Sequence, residues 1–501
     1  MTDPTPRLRE SPSVTLLQSS FAQLPDSVFE RVNPTPVARP VLIRVNEALA
    51  AELQLPLAGQ DSETLASLFA GNVLAAGSVP IAMGYAGHQF GGFVPQLGDG
   101  RAILLGEAQA RDGTRYDIQL KGSGRTRFSR RGDGRAALGP VLREYLVSEA
   151  MHALGIPTTR ALAAVTTGET VLREVPLPGA IVTRVAKSHV RVGTFEFAAT
   201  LPDGKPLRAL TDHVIERLYP SASAEASPAL SLLRAVVERQ ASLVAQWMHV
   251  GFIHGVMNTD NMALSGETID FGPCAFVDAY DPATVFSAID SQGRYAFANQ
   301  PPIAQWNLAR LAEALLPLLD PDPERAVSLA EDMLSHFATC FRARWVEGLR
   351  AKLGLTRAEE GDLALAEGFL ALLHQQHVDF TLAFRRLCDA ADEPVANSVR
   401  ELFLDPGVFD AWSVGWRRRL GVEAVPARER AQAMRRVNPL YIPRNHLVEQ
   451  VIAAGVEQGN FAPFGELLDV LSRPFEEQRG RERFALPPQP DQVVFRTYCG
   501  T

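Results

Sequence analysis

The chain has 501 residues, 46% of them hydrophobic and 21% charged, with a formal net charge of −8 at pH 7. That length carries two or three packed units, and the negative balance argues against nucleic acid as the main partner. No apolar run approaches the roughly 20 residues that span a bilayer, and the N-terminus shows no apolar signal segment, so a cytoplasmic monomer without membrane association is expected. Cys274, Cys340, Cys388 and Cys499 lie too far apart for a zinc cluster or a C-x-x-C pair.

Residues 1–80 read as an extended arm punctuated by Pro34, Pro36 and Pro40, then helical material with apolar spacing over 42–53. Glycine is dense from about 80 to 100. Residues 102–105 and 116–120 read as strands on either side of the turn signal Arg111-Asp-Gly113. Pro140 suits the start of a helix that stops at Gly155. Residues 161–165 and 170–173 flank Thr167-Gly-Glu169 as a hairpin, and 181–185 adds another strand. Beyond about 205 the pattern turns helical, over 228–250, 306–319 and 363–387 among others. Strands with one inserted helix followed by helices alone predict an α+β chain.

The helix over 228–250 feeds into His254-Gly-Val-Met-Asn-Thr-Asp-Asn261, and Asp270-Phe-Gly272 follows. Protein kinases carry H-R-D-L-x-x-x-N and then D-F-G. His254 and Asn261 keep that spacing, but Val256 stands where the kinase base belongs, and a valine accepts no proton. Asp260 is the carboxylate nearest at hand. Asn261 and Asp270 are the hard oxygen ligands that Mg²⁺ on a nucleotide requires, and His254 reads as a brace of the loop. Lys121 closes an alternating strand and Glu144 lies in the next helix, as in the kinase lysine–glutamate pair. Between them runs a Gly- and Arg-rich loop, Lys121 to Arg135, suited to phosphate. Gly98-Asp-Gly-Arg101 reads as a hairpin turn over a nucleotide, although Asp-Gly is common in any hairpin. G-x-S-x-G, H-E-x-x-H and G-x-x-x-x-G-K-[ST] are absent from the sequence.

Gly87-His-Gln-Phe-Gly91, Leu97-Gly-Asp-Gly-Arg101, Gln119-Leu-Lys-Gly-Ser-Gly124, the His254–Gly272 stretch, Asn438-Pro-Leu-Tyr-Ile-Pro443 and the Cys499-Gly-Thr501 ending together resemble the selenoprotein O family of pseudokinases. The resemblance runs from about residue 20 to the C-terminus. It implies a protein-kinase-like two-lobed fold, with an arm and helical segment (1–80), a mixed N-lobe (81–205), a helical C-lobe core with both loops (206–320) and a helical extension with a cysteine-containing tail (321–501). It also implies that ATP binds turned around and that AMP passes to Ser, Thr or Tyr hydroxyls of proteins, with Mg²⁺ or Mn²⁺. Carried over by motif, Gly98, Gly100, Arg101, Lys121, Asp133, Gly134, Arg184, Arg191 and Asp270 would contact ATP. Asn261 and Asp270 would hold the metal, Asp260 would be the base, and Glu144 would pair with Lys121. Some members carry selenocysteine near the C-terminus, where this chain has Cys499; a redox pair of Cys499 with Cys274 is the accompanying expectation. Two other readings of the residues remain: a catalytically inactive nucleotide-binding scaffold, and a kinase that transfers the γ-phosphate with an unconventional base.

Overall fold

Successive residues of the central strands bury into two different hydrophobic clusters, as a period of two dictates when both faces of a sheet are covered. Ile103 and Leu105 join one cluster and Leu104 the other; Ile181 and Val182 divide in the same way. The computed structural model describes residues 9–392 and 398–498. Its main sheet has eight strands. Seven run in the order Phe29–Arg31, Ile81–Met83, Ala102–Gln109, Arg115–Lys121, Pro176–Ala186, Arg160–Leu172, Val41–Val45, and Ala136–Ala137 adds to Pro176–Ala186. All its pairings are antiparallel. The chain is therefore α+β.

The helix Leu138–Ala153 covers one face of the sheet with Leu142, Leu146 and Ala150. The other face is covered from the first 80 residues, by Leu49 and Leu53 at one helix and Leu65, Leu68 and Phe69 at the next. Residues 42–53 are not one helix. Val41–Val45 is a strand paired with Arg160–Leu172, and the helix Glu47–Glu52 starts only after Asn46, whose side chain accepts from the Leu49 N–H at 3.1 Å. Branched Val41, Ile43 and Val45 favour the strand, and the Asn46 cap separates two elements whose apolar residues run on without a gap.

The hairpin expected around Thr167-Gly-Glu169 is also displaced. Gly168, at φ +70°, sits in an irregularity inside the strand Arg160–Leu172, and the chain reverses only at Arg173–Val175. A bulge glycine and a turn glycine have the same sequence signature. The single helix read over 363–387 is two, Asp362–Gln375 and Phe380–Asp392. His377 breaks it at φ +51°, and the Phe380 N–H donates to Asp278 O, a contact with no local signal.

Downstream, Pro228–His249, Gln300–Leu319 and Pro323–Lys352 pack against one another, and one hydrophobic cluster runs from Phe21 to Ala485. Among the described residues no helix is long and apolar enough to cross a membrane.

Candidate active site

Lys121 ends its strand between Ala102 and Val182, which aims its ammonium at the helix beyond. Nζ lies 2.5 Å from Glu144 Oε2 and 2.9 Å from Asp270 Oδ1. Arg184 Nη1 reaches the other Glu144 oxygen at 3.3 Å. Burial opposes the charge of Asp270, but Lys121, Arg184 and Arg101 overcome it and hold the carboxyl far below the usual carboxylate range. Asp270 also adopts φ +66°, a left-handed backbone that Asp and Asn tolerate better than most residues.

The catalytic-loop candidate is braced by His254. Its Nε2–H donates to Ile269 O at 2.9 Å, Nδ1 accepts from the Val256 N–H at 3.4 Å, and burial keeps the ring neutral by lowering its pKa. Asn261 donates its amide N–H to Val256 O at 3.0 Å, which leaves the carboxamide oxygen for another partner. Asp260 is buried, and its Oδ1 has no hydrogen-bond partner. Burial pushes its pKa up to about 6 against the opposing charge of Arg191. Arg191 Nη1 meanwhile donates to the Asp260 carbonyl at 3.1 Å and lies over the Tyr85 ring.

Lys121, Glu144, Arg184, Arg101 and Asp270 thus form one cluster, with Arg191, Asp260 and Asn261 along the loop. The expected hairpin at Gly98–Arg101 is instead a turn held from below. The Asp99 N–H donates to Met83 O, and Gly98 is at φ +81°. Phe128, from the loop after Lys121, lies so close that a Cβ on Gly98 would come within 2.3 Å of its ring. Asp133 and Gly134 stand at the neck of that loop. Asp133 is paired with Arg173 at 2.9 Å, and Gly134 O accepts from the Gly124 N–H at 3.0 Å. Their polar partners lie outside the Lys121–Asp270 cluster.

Three contributors have roles that the motifs alone do not state. Buried Asp99 accepts from Gln119 Nε2 at 3.0 Å and faces Arg191 Nη2 at 3.5 Å, while Gln119 Oε1 accepts from Arg184 Nε at 3.1 Å. These two residues fix both arginines. A turn aspartate and a strand glutamine carry no local signal of such a role. The third is the hairpin formed by Gly87–Gln89 and Gly92–Val94. It lies on the loop through His88 N–H to Thr259 Oγ1 (2.7 Å) and Phe90 N–H to Asn258 Oδ1 (3.0 Å), and it brings Gln89 beside the Asp260 carboxylate.

The family model described as "Protein adenylyltransferase SelO" matches residues 14–472. The chain belongs to the SelO family. A Rhizobium meliloti relative named "Protein nucleotidyltransferase YdiU" is 58% identical over 488 residues, covering 96% of this chain and 99% of its own. Relatives of the same name from Rhodopseudomonas palustris (strain BisB5) and Bradyrhizobium diazoefficiens are each 59% identical over 484 residues, covering 96% and 97% of this chain and 98% and 99% of their own. This SelO-family chain is accordingly a nucleotidyltransferase.

A divalent ion fits the donors present. Among the described residues no group of three or more His, Cys, Asp or Glu could hold a metal alone. Mg²⁺, however, commonly takes one or two protein oxygens and completes its shell with substrate phosphates and water. The ionised Asp270 and the carboxamide oxygen of Asn261 would be donors of that kind.

Proposed function

We propose that this SelO-family chain transfers AMP from ATP to Ser, Thr or Tyr hydroxyls of proteins, assisted by Mg²⁺ or Mn²⁺. The observation that carries the reading is Asp260: a buried carboxylate with an unpartnered oxygen and a pKa near 6, on a loop whose usual base position is Val256. A group of that basicity is ionised at neutral pH and still accepts a proton as a hydroxyl attacks. The hydroxyl oxygen bonds to the α-phosphorus, pyrophosphate leaves, and the proton passes to Asp260. Lys121, Arg184 and Arg191 hold the distal phosphates, as the turned-around nucleotide of the family resemblance requires. Glu144 fixes Lys121, and Gly98, Gly100 and Arg101 line the nucleotide's approach. Asp133 and Gly134 act with the loop they anchor. Asn261 and Asp270 would hold the ion, which would supply neutralisation of phosphate charge.

The same reading gives the chain a kinase-like division into 81–205 and 206–320, flanked by 1–80 and 321–501. It is supported by the lysine strand and glutamate helix on the sheet side and the paired loops at the helical side. Incubation with ATP labelled on the α- or the γ-phosphate tests the function. Label on protein from α-labelled ATP alone is expected. Label from γ-labelled ATP alone would mean a kinase, and none from either a binding scaffold.

Redox control through Cys274 and Cys499 belongs to the same proposal. Cys499 lies outside the described residues. Thr497, two positions before it, donates its hydroxyl to Pro273 O at 2.5 Å, beside Cys274. Burial pushes the Cys274 thiol up to about 12, so the attack on an oxidant would start at Cys499. With oxidised glutathione, intact mass should fall by two hydrogens, and Cys499→Ser should abolish the change. An unchanged wild-type mass would remove the pairing.

A further inference from the structure

The geometry points to a docking pocket for the protein substrate beside the catalytic loop, one that takes an apolar side chain together with an acidic residue next to the target hydroxyl. A cavity of about 450 Å³ opens between the tip of the Gly87–Val94 hairpin and the segment 289–303, lined by Phe90, Ile289, Asp290, Arg294, Pro302 and Ile303 among others. Volumes of this size are typical of sites that enclose a side chain or a small ligand.

The pocket is continuous with the reactive loop through Asn258, whose Oδ1 accepts both the Phe90 N–H at 3.0 Å and the Tyr295 hydroxyl at 2.6 Å. Asn258 stands two residues before Asp260, so the lining residue Phe90 is tied to the same short loop that carries the carboxylate. A segment seated here would present its next residues to Asp260.

Phe90 carries the argument. Gln89 pairs with Gly92, so Phe90 and Gly91 are the two loop residues of the hairpin, at φ +51° and +86°. Two-residue loops of this kind favour Asn-Gly, because both positions need φ above zero. A phenylalanine there is strained, at a cost of about 1–2 kcal/mol, and the residue stays 39% exposed although its ring packs on Tyr295 with centroids 5.2 Å apart. Exposed Ile289 stands across the same cavity. Strain retained at an exposed aromatic next to a reactive loop is accounted for by a binding role.

The charge complements this apolar wall. Arg294 lies over Trp306 at 4.9 Å and Tyr295 at 5.8 Å, and among the described residues it forms no ion pair with a carboxylate. Among the described residues the one carboxylate in the lining, Asp290, accepts from the Arg294 and Tyr295 backbone N–H groups with its two oxygens, at 2.9 and 2.8 Å. A stacked guanidinium without a carboxylate suits bidentate capture of an incoming one. The occupant is therefore an acidic and apolar peptide segment.

The identity of this occupant as a nucleophile rests on the adenylyl-transfer reading; its binding does not. Fluorescein-labelled peptides with one central Ser, Thr or Tyr flanked by Asp and Leu would be titrated by anisotropy without nucleotide, against the same peptides with Lys for Asp. Tighter binding of the Asp series by at least tenfold is expected. Phe90→Asn and Arg294→Gln should each weaken it about fivefold or more, while Phe90→Asn melts no lower than the wild type because Asn suits the turn. In transfer assays Phe90→Asn should raise KM for the peptide. No binding, no preference for Asp, or wild-type affinity in both variants would overturn the pocket. Selective binding without label from α-labelled ATP would leave the pocket standing and overturn the transfer reading instead.

Discussion

Asp270→Asn should lower AMP transfer from α-labelled ATP by about 10³-fold or more, the effect of losing several kcal/mol of charge stabilisation at the metal. Asp270→Ala should do the same and unfold more easily. The two substitutions separate charge from backbone. Asn keeps a side chain that tolerates the φ of +66°, whereas Ala adds strain there and leaves Lys121 with Glu144 alone. Because the folded carboxyl is held far below its ordinary range, its stabilisation is fully present above the unfolded carboxyl's pKa and is lost only as pH falls through the folded value. Both variants therefore lose it at neutral pH. Removing one partner of a buried ion cluster costs on the order of 3–5 kcal/mol, so the melting order should be wild type, Asn, Ala. Label transfer at the wild-type rate by Asp270→Asn would sink the assignment of Asp270 as a metal ligand.

Elements with strong periodicity and a clear stop were legible. The strand ending in Lys121, the helix carrying Glu144 and the helix ending at His249 all form where pattern and punctuation put them. The misreadings share a cause. Val41–Val45 owes its form to the strand Arg160–Leu172, the bulge at Gly168 is held by the Arg39 N–H donating to Thr167 O, and the break at His377 coincides with pairing to the segment at Asp278. Local propensity cannot report a partner more than a hundred residues away.

The site divides along the same line. Groups whose chemistry is rare in their position, such as an Asp-Phe-Gly after a His–Asn loop, stand out in one dimension. Asp99 and Gln119 do not, because turn aspartates and strand glutamines are ordinary; only the fold shows them gripping Arg191 and Arg184. The Gly87–Val94 hairpin was visible as a glycine-rich stretch, but its seat on Thr259 and Asn258 depends on a chain reversal across some 170 residues. Glycine at 87 has a definite reason there, since a Cβ would stand 3.1 Å from Asp260 Oδ1 and 3.2 Å from Thr259 Oγ1. The hairpin thereby helps bury Asp260, and burial is what raises its pKa, while Gln89 of the same hairpin pulls the other way. A side chain that sequence spacing alone marked only as displaced is thus tuned by a segment far from it in the chain.

That tuning has a cost, and it predicts opposite effects of one substitution. Asp260→Asn should lower AMP transfer about 10²–10⁴-fold, the usual contribution of a positioned base, yet raise the melting temperature at neutral pH. The folded pKa near 6 lies above the ordinary value of 3.8. The native state therefore binds more protons than the unfolded state between those values, and stability falls as pH rises through the interval. Above it the wild type carries the whole penalty, up to about 3 kcal/mol at 1.36 kcal/mol per pKa unit. Asn is neutral throughout and escapes it, so the variant's advantage should be absent near pH 4 and complete by about pH 7. Wild-type kcat/KM should fall tenfold per pH unit below about 6 as Asp260 takes up one proton. Thermal melts and label transfer across that range measure both. A variant that transfers AMP normally would remove Asp260 as the base. One that is inactive but gains no stability would show that the charge is compensated within the loop, and the burial account of its pKa would fail.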